Sequence, residues 1–293
     1  MCFTYRLHDL TLHQRSDKYA RKVVIKRAPK QRLNNEREVL EAVRDHPYVR
    51  QMIDTTEDPP SLVLKFLDEN LLKVSGQKRL EGSDLKLVAR NLLEALAALH
   101  ENGFVHTDIK PNNVLVNYGG ASARFSEVQL GDCGDAYRFK PKADPLEEGH
   151  VIGAAIFRSP EAMLNLGWGP PTDIWSLGTT LISLVFGHHW HIFKPKNIEP
   201  DDVNYGFWVL VEQVRRFGPV PLSYEEIANE DRLGILTSVI DHVNENQLHL
   251  PFSMSEDEEL LKEDRDFIVK LMKLDPRDRP TATDLLQDEW FKS

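Results

Sequence analysis

The sequence predicts an α+β fold with two lobes, a small strand-rich lobe at residues 1–69 and a larger helical lobe at residues 70–293. Short runs of apolar and β-branched residues, which are typical of strands, lie before residue 70. After Ser83, apolar residues instead recur at the three-and-four spacing of a helix. The 293 residues also suffice for about two domains or one large two-lobed domain.

The small lobe is predicted to contain two strands with a helix between them. The strands are the β-branched run Val23-Val24-Ile25 and the apolar run Leu62-Val63-Leu64. The helix covers Asn35 to Val43, where the apolar residues follow helical spacing. We place the joint between the lobes near Phe66 to Asn70.

The large lobe is predicted to begin with a long amphipathic helix, for which Ser83 is the expected N-cap. The apolar face of this helix comprises Leu85, Val88, Leu92, Leu96 and Leu99. Strands are predicted at Val114 to Val116 and at Val128 to Leu130, followed by a buried helix at Asp173 to Phe186. Further helical segments are expected up to the C-terminal end.

The composition is that of an acidic globular protein. Apolar residues make up 41%, which excludes collagen-like and fully disordered chains, and 36 basic against 46 acidic residues give a net charge of −10. This charge disfavours nucleic acid as a partner and fits either basic partners or simple solubility. The dense acidic segment Ser255 to Asp266 is expected to be a solvated helix with a capping box of Ser255 and Glu258.

The two cysteines, Cys2 and Cys133, offer no disulfide framework, which favours a reducing compartment. The N-terminus has no secretory signal pattern, and the longest apolar stretch, Leu181 to Phe186, is far shorter than the ~20 residues of a membrane helix. We therefore expect a soluble monomer of the cytoplasm or nucleus, without a membrane partner.

The segment His106 to Leu115 carries a carboxylate, a lysine and an amide within six residues. A second carboxylate, Asp132, lies in Gly131-Asp132-Cys133-Gly134 after the second predicted strand of the large lobe. Phosphoryl transfer from a nucleotide needs such groups, because one carboxylate orients the attacking hydroxyl and a lysine offsets the charge of the moving group. An amide oxygen and a second carboxylate can hold a divalent metal, and oxygen ligands favour Mg²⁺.

These residues belong to a series of motifs that resembles the eukaryotic protein kinases. The motifs are H-x-D-x-K-P-x-N from His106, D-x-G from Asp132, S-P-E at 159–161, D-I-W-S-L-G from Asp173 and L-D-P-R-D-R-P from Leu274. Their order and spacing agree with that family from roughly Val23 to Phe291. The resemblance implies a protein-kinase-like bilobal fold with an incomplete small lobe, and it implies ATP and Mg²⁺ as cofactors.

The resemblance also assigns roles to residues of the large lobe. Asp108 would be the catalytic base, Lys110 the lysine directed at the phosphate, and Asn113 and Asp132 the metal ligands. A lysine at position 110 with a proline after it resembles the Ser/Thr-directed form of the loop. Asp173 would cap backbone amides of this loop. The expected activity is therefore that of a Ser/Thr protein kinase with protein substrates.

In the small lobe, Val23 to Lys26 resembles the V-A-I-K strand whose lysine contacts the nucleotide phosphates. The expected partner of Lys26 is Glu36, with Glu38 as the second choice. The alternative is that Lys26 is an ordinary exposed lysine at the end of a strand.

The resemblance further places Leu64 at the back of the nucleotide pocket, with Phe66 and Leu67 at the hinge between the lobes. Glu161 and Arg279 would form a buried ion pair that ties the activation segment to the large lobe.

The chain departs from the kinase pattern at several places. The first glycine is Gly76, so no glycine-rich loop precedes Lys26 to cover the phosphates. Cys133 stands where the family has phenylalanine, and we expect it to be a buried structural thiol. Ala154 falls where the family has a threonine in the activation segment.

Thr107, where most kinases carry arginine, makes His106 to Pro111 similar to the SR-protein kinases of the CMGC group. This similarity implies substrates with basic, Arg-Ser-rich segments, which a net charge of −10 suits.

Three alternatives to an active protein kinase remain open. A pseudokinase, a kinase-shaped binding or scaffold protein with little or no catalysis, would explain the missing glycine-rich loop. An incomplete gene product would lack the first pair of strands and leave a sheet edge uncovered. A kinase of small metabolites is disfavoured by the S-P-E and R-D-R-P motifs.

Overall fold

The architecture is described from a computed structural model that defines residues 11–16, 22–121, 123–140, 146 and 148–292, with the backbone alone for 11–16. Cys2 and residues 17–21 lie outside the described residues. Within them, a small sheet-based lobe with one helix precedes a larger helical lobe, so the predicted α+β class is confirmed.

The small lobe is built on a four-stranded antiparallel sheet with the order β1-β2-β4-β3. The strands of the described chain are β1 Thr11–Ser16, β2 Lys22–Arg27, β3 Met52–Glu57, β4 Pro60–Lys65, β5 Glu69–Asn70, β6 Phe104–Val105, β7 Val114–Tyr118, β8 Phe125–Leu130 and β9 Tyr137–Arg138. The two strands predicted in the small lobe are β2 and β4, the central pair. Their β-branched and apolar side chains suit this position because such side chains pack well on a pleated surface.

Strand β1 precedes the strand that carries Lys26. It pairs with β2 in antiparallel register, from Thr11 opposite Arg27 to Ser16 opposite Lys22. The hypothesis of a chain that lacks both preceding strands is therefore wrong, because one of them is present and covers the edge of β2.

The helices of the described chain are α1 Lys30–Ala42, α2 Leu71–Gln77, α3 Gly82–Glu101, α4 Pro160–Met163, α5 Pro171–Phe186, α6 Tyr205–Phe217, α7 Glu230–Glu245, α8 Lys262–Leu271 and α9 Ala282–Leu285. Helix α1 begins at Lys30, earlier than the predicted Asn35. Its first three residues, Lys30 to Arg32, are polar, and Leu33 alone shows no apolar periodicity, so the sequence pattern did not indicate this start.

Two predicted helix caps are wrong. The residue that flanks α3 is Glu81, and no side chain caps this helix, since Ser83 already lies within its first turn. The acidic segment is not helical before Lys262, and the Ser255 hydroxyl bonds to the carboxylate of Asp257 instead of a backbone amide. Both serines had a suitable sequence position, but in the structure neither occupies the N-cap position of a helix.

The connection between the lobes positions the site. After β4 the chain enters β5, which pairs with β7 of the large lobe, so the crossing lies within the predicted joint Phe66 to Asn70. Strands β7 and β8 form an antiparallel pair. The loop 106–113 leads into β7, and Asp132 follows the end of β8. Because the two strands are antiparallel, both segments lie at the same end of the β7–β8 pair.

The large lobe is organised around α3 and α5, whose apolar faces contribute to one continuous core. Trp175 of α5 has no exposed surface and stacks on Phe193 with ring centroids 5.6 Å apart. Among the described residues, none of the helices combines the length and the apolar character needed to cross a bilayer.

Candidate active site

Asp173, at the start of α5, holds the loop 106–113 in place. Its two carboxylate oxygens accept hydrogen bonds from the backbone N–H groups of His106, at 2.8 Å, and Thr107, at 2.9 Å. His100 Nε2 lies 2.9 Å from the same carboxylate, and Asp173 has no exposed surface. The structure thus contains the capping expected of Asp173.

Thr107 adopts φ = 68°, a left-handed conformation that β-branched residues rarely take. Besides its N–H bond to Asp173, its hydroxyl donates to the backbone oxygen of Asp135 at 2.9 Å. These bonds hold the strained backbone that turns the chain into Asp108.

Asp108 has one bonded and one unbonded carboxylate oxygen. Its Oδ2 accepts from Lys110 Nζ at 2.7 Å and from Asn113 Nδ2 at 3.0 Å. Its Oδ1 is buried and has no hydrogen-bond partner among the described residues. An unpaired buried acceptor costs about 1–3 kcal/mol, so this oxygen favours a ligand that donates a hydrogen.

Asn113 and Asp132 are brought together by the backbone. The backbone N–H of Gly131 donates to the backbone oxygen of Asn113 at 2.8 Å, and His106 Nε2 lies 3.0 Å from the backbone oxygen of Gly131. Asn113 uses its amide nitrogen as a donor to Asp108, which leaves its side-chain oxygen free of partners among the described residues.

The free oxygens of Asn113 and Asp132 fit a hard cation. Lys26 contacts Oδ1 of Asp132, and no described residue donates to Oδ2. Carboxylate and amide oxygens are the ligand types that Mg²⁺ prefers, usually one or two per site with waters and phosphates completing the shell. Within the described chain, no group of three or more His, Cys, Asp or Glu side chains could hold a metal. A magnesium site of few protein ligands is thus the type that these residues suit.

Lys26 connects the two lobes at the site. Its ammonium lies 2.5 Å from Glu36 of α1 and 2.5 Å from Asp132, and it is only 3% exposed. Glu36, 1% exposed, is thus the partner that the structure brings to Lys26, whereas Glu38 instead pairs with Arg138 at 2.6 Å. The alternative of an exposed lysine is wrong.

The charge of Lys26 is stabilised by its two partners. Burial alone would lower the pKa of Lys26, but the carboxylates of Glu36 and Asp132 raise it above its ordinary value. Lys26 therefore remains an ammonium at neutral pH and can contact phosphate oxygens.

The ion pair with Lys26 also changes the pKa of Asp132. Burial alone would raise the pKa of Asp132, but the ammonium of Lys26 and the guanidinium of Arg32 lower it to about 2. The folded-state pKa lies below the ordinary value of 3.8, so the ionised group stabilises the fold above that pH. This stabilisation is lost as the pH falls towards 2.

We expect the wild-type protein to lose about 1 kcal/mol more of its unfolding free energy between pH 5 and pH 3 than the variant Asp132→Asn. The variant lacks the carboxylate whose protonation is linked to unfolding. Urea unfolding at the two pH values measures the difference. Equal losses in both proteins would contradict the depressed pKa.

Helix α1 is bonded directly to the segment after Asp132, a connection that the sequence did not reveal. The side-chain amide of Asn35 donates to the backbone oxygens of Gly134 at 3.0 Å and Ala136 at 2.7 Å. Arg32 lies 2.7 Å from Asp135. These bonds hold α1 against the segment that carries Asp132.

The buried ion pair expected in the large lobe is present. Arg279 contacts both oxygens of Glu161, at 2.7 and 2.8 Å, and neither side chain has exposed surface.

Cys133 is also fully buried, and burial raises the pKa of its thiol. It is the structural thiol that we expected.

The three residues expected at the back of the pocket and at the hinge differ in exposure. Leu64 is fully buried, Leu67 nearly so, and Phe66 is partly exposed. Among the described residues, no hydrogen bond engages the backbone N–H or C=O of Leu67, so these groups are free for a ligand.

Arg50 is a further residue at the site that the sequence analysis missed. Its Nε donates to the backbone oxygen of Lys65 at 3.0 Å, immediately before the hinge. The signal that could have indicated Arg50 is a charged residue between Val49 and Met52, in a segment whose pattern is otherwise typical of a strand.

A family model described as protein kinase domain matches residues 8–291, almost the whole chain. The chain belongs to the protein kinase domain family. Within this kinase domain, the bonded set of Lys26, Glu36 and Asp132 links the two lobes, and Asp108 lies in the loop that Asp173 caps.

Several known kinases are similar to this kinase domain. Calcium/calmodulin-dependent protein kinase cmkA of Emericella nidulans is 26% identical over 290 residues, which cover 94% of this chain and 57% of the relative. MAP kinase kinase kinase wis4 of Schizosaccharomyces pombe is 26% identical over 273 residues, or 88% and 16% of the two chains. Human mitogen-activated protein kinase kinase kinase 4 is 28% identical over 167 residues, or 55% and 10%.

The kinase domain thus spans between 10% and 57% of the length of these three relatives. The family itself is shown by the family model that matches residues 8–291. The similarity to SR-protein kinases and the CMGC group stays a prediction.

Proposed function

We propose that the chain is a Ser/Thr protein kinase that transfers the terminal phosphoryl group of Mg²⁺-bound ATP to a protein hydroxyl. The observation that carries the proposal is the unpartnered Oδ1 of Asp108, beside an Oδ2 that binds both Lys110 and Asn113. A carboxylate fixed by one oxygen and free at the other is suited to accept the hydrogen of a substrate hydroxyl.

In the proposed reaction, the hydroxyl oxygen forms a bond to the terminal phosphorus while the bond to the bridging oxygen breaks. The nucleoside diphosphate leaves, and the hydroxyl proton passes to Asp108. Lys26, held by Glu36, binds and orients the phosphates, while Lys110 is placed to offset charge on the moving group. A Mg²⁺ ion held by Asn113 and Asp132 would neutralise phosphate charge when bound.

For the substrate we propose proteins with basic, Arg-Ser-rich segments. The similarity of His106 to Pro111 to SR-protein kinases and the net charge of −10 support this proposal. We further propose that the protein acts as a monomer in the cytoplasm or nucleus.

A second candidate function is that of a kinase-shaped scaffold with little or no catalysis. It is favoured by one observation, the absence of any glycine before Gly76, which removes the glycine-rich loop that covers the phosphates in this family.

Thermal unfolding with and without ATP and Mg²⁺ distinguishes the two functions. A ligand at 100 times its dissociation constant stabilises a protein by about 2.7 kcal/mol, which should raise the midpoint by several degrees. We expect a Mg²⁺-dependent rise in the wild type that is lost in Asp132→Asn.

Asp241→Asn, which removes an exposed carboxylate from α7, is the matched control and should retain the rise. If millimolar ATP with Mg²⁺ leaves the wild-type midpoint unchanged, the scaffold function is the correct one.

A further inference from the structure

Arg50 occupies the space between the hinge and Asp132. Its Nε bonds to the oxygen of Lys65, while its aliphatic stem passes Gly131. A methyl group added at Gly131 would lie 3.4 Å from Cδ of Arg50 and 3.1 Å from Cδ1 of Leu115. The arginine stem thus packs directly beside Gly131, the residue before Asp132.

The guanidinium of Arg50 has more donors than the protein uses. Only its Nε–H has an acceptor among the described residues, so the four N–H groups of Nη1 and Nη2 are available. Burial lowers the pKa of Arg50 to about 10, although Glu36 and Asp132 oppose this effect. The guanidinium is thus partly deprived of water, which favours a ligand that supplies hydrogen-bond acceptors.

The position of Arg50 determines which part of a nucleotide it would meet. Lys26 and Asp132 lie at the phosphate end of the proposed site, and the free backbone groups of Leu67 lie at the hinge. A nucleotide that spans these points carries its base to the hinge, where Arg50 binds Lys65.

We propose that Arg50 makes this site bind guanine at least as tightly as adenine, so that GTP serves as a phosphoryl donor alongside ATP. The proposal rests on the proposed kinase function. Guanine presents two acceptors, O6 and N7, on one edge, and a guanidinium pairs with them through two parallel hydrogen bonds. Adenine presents a donor amino group in place of O6.

The backbone oxygen of Lys65, next to the hinge, strengthens the preference for guanine over adenine. An adenine amino group that donated to the Lys65 oxygen would share this acceptor with the guanidinium of Arg50. The amino group would then face a cationic donor. A guanine oxygen at the same position would face a donor that it can accept from.

The experiment compares dissociation constants of Mg²⁺-bound ATP, GTP and ITP for the wild type, Arg50→Val and Arg50→Lys by isothermal titration. ITP retains O6 and N7 but lacks the 2-amino group of GTP, so it isolates recognition of that edge. Arg50→Lys retains the charge without the planar fork and tests whether charge alone suffices. Circular dichroism and unfolding midpoints without nucleotide verify that each variant is folded.

We expect GTP and ITP to bind the wild type at least as tightly as ATP. Arg50→Val should shift the ratio of the ATP and GTP dissociation constants in favour of ATP by about 5- to 150-fold, which is the discrimination expected of one bidentate pair. Arg50→Lys should shift it in the same direction. Tighter binding of ATP than GTP by the wild type, or a ratio unchanged in both folded variants, would overturn the proposal while the kinase function stands. Binding of no nucleotide would overturn both.

Discussion

Replacing Asp108 with asparagine is expected to lower the rate of phosphoryl transfer by about 10²–10⁴-fold, the usual contribution of a general base. Asparagine is close in size and can still accept from Lys110 and Asn113, so the loop should keep its conformation. It cannot take the hydroxyl proton. The effect should therefore fall on kcat, with the dissociation constant of the Mg²⁺-bound nucleotide nearly unchanged.

The measurement is the steady-state phosphorylation of an Arg-Ser-rich peptide, together with nucleotide binding by isothermal titration. Asp264→Asn provides a matched control, since Asp264 is another buried carboxylate but binds the indole N–H of Trp290 at 2.8 Å in the large-lobe core. This control should retain the wild-type rate. A variant Asp108→Asn with wild-type kcat would exclude Asp108 as the base.

The second large effect concerns stability. Arg279→Met should lower the free energy of unfolding by about 3–5 kcal/mol, because it leaves the carboxylate of Glu161 buried without its cation. Glu161→Gln should cost less, since Arg279 also donates to the backbone oxygens of Lys273, Leu274 and Pro171. The expected fall in the midpoint for Arg279→Met is about 6–20 °C.

Thermal and urea unfolding of both variants test this asymmetry. Lys262→Met is the control, because Lys262 pairs with Asp266 at 2.9 Å on the exposed surface of α8, where such pairs contribute about 0–1 kcal/mol. A loss of under about 1 kcal/mol in Arg279→Met would mean that the buried pair is not the constraint that the structure indicates.

The sequence predicted the parts of this kinase domain that depend on local patterns. The central strands β2 and β4, helices α3 and α5, and the loop with Asp108, Lys110 and Asn113 are each encoded within a short segment. The motif resemblance then supplied two long-range pairs, Lys26 with Glu36 and Glu161 with Arg279.

What the sequence could not predict depends on contacts between distant segments. Asn35 and Gly134 are 99 residues apart, and no property of either residue indicates that they bond. Arg50 looks like any charged strand residue until the Lys65 oxygen and Gly131 are placed beside it. Ser255 shows the opposite error, a predicted feature that is absent. A serine can cap a helix only where a helix begins, and α8 begins at Lys262.

The bonds between Asn35 and the segment after Asp132 also couple the position of α1 to that segment. Helix α1 carries Glu36 and is joined to this segment at Gly134 and Ala136, so a displacement of the helix would also act on the segment. Its outward side is formed by exposed residues such as Arg37. A ligand or partner that shifted α1 from that side would therefore move the Glu36 carboxylate and disturb the bonds beside Asp132 at the same time.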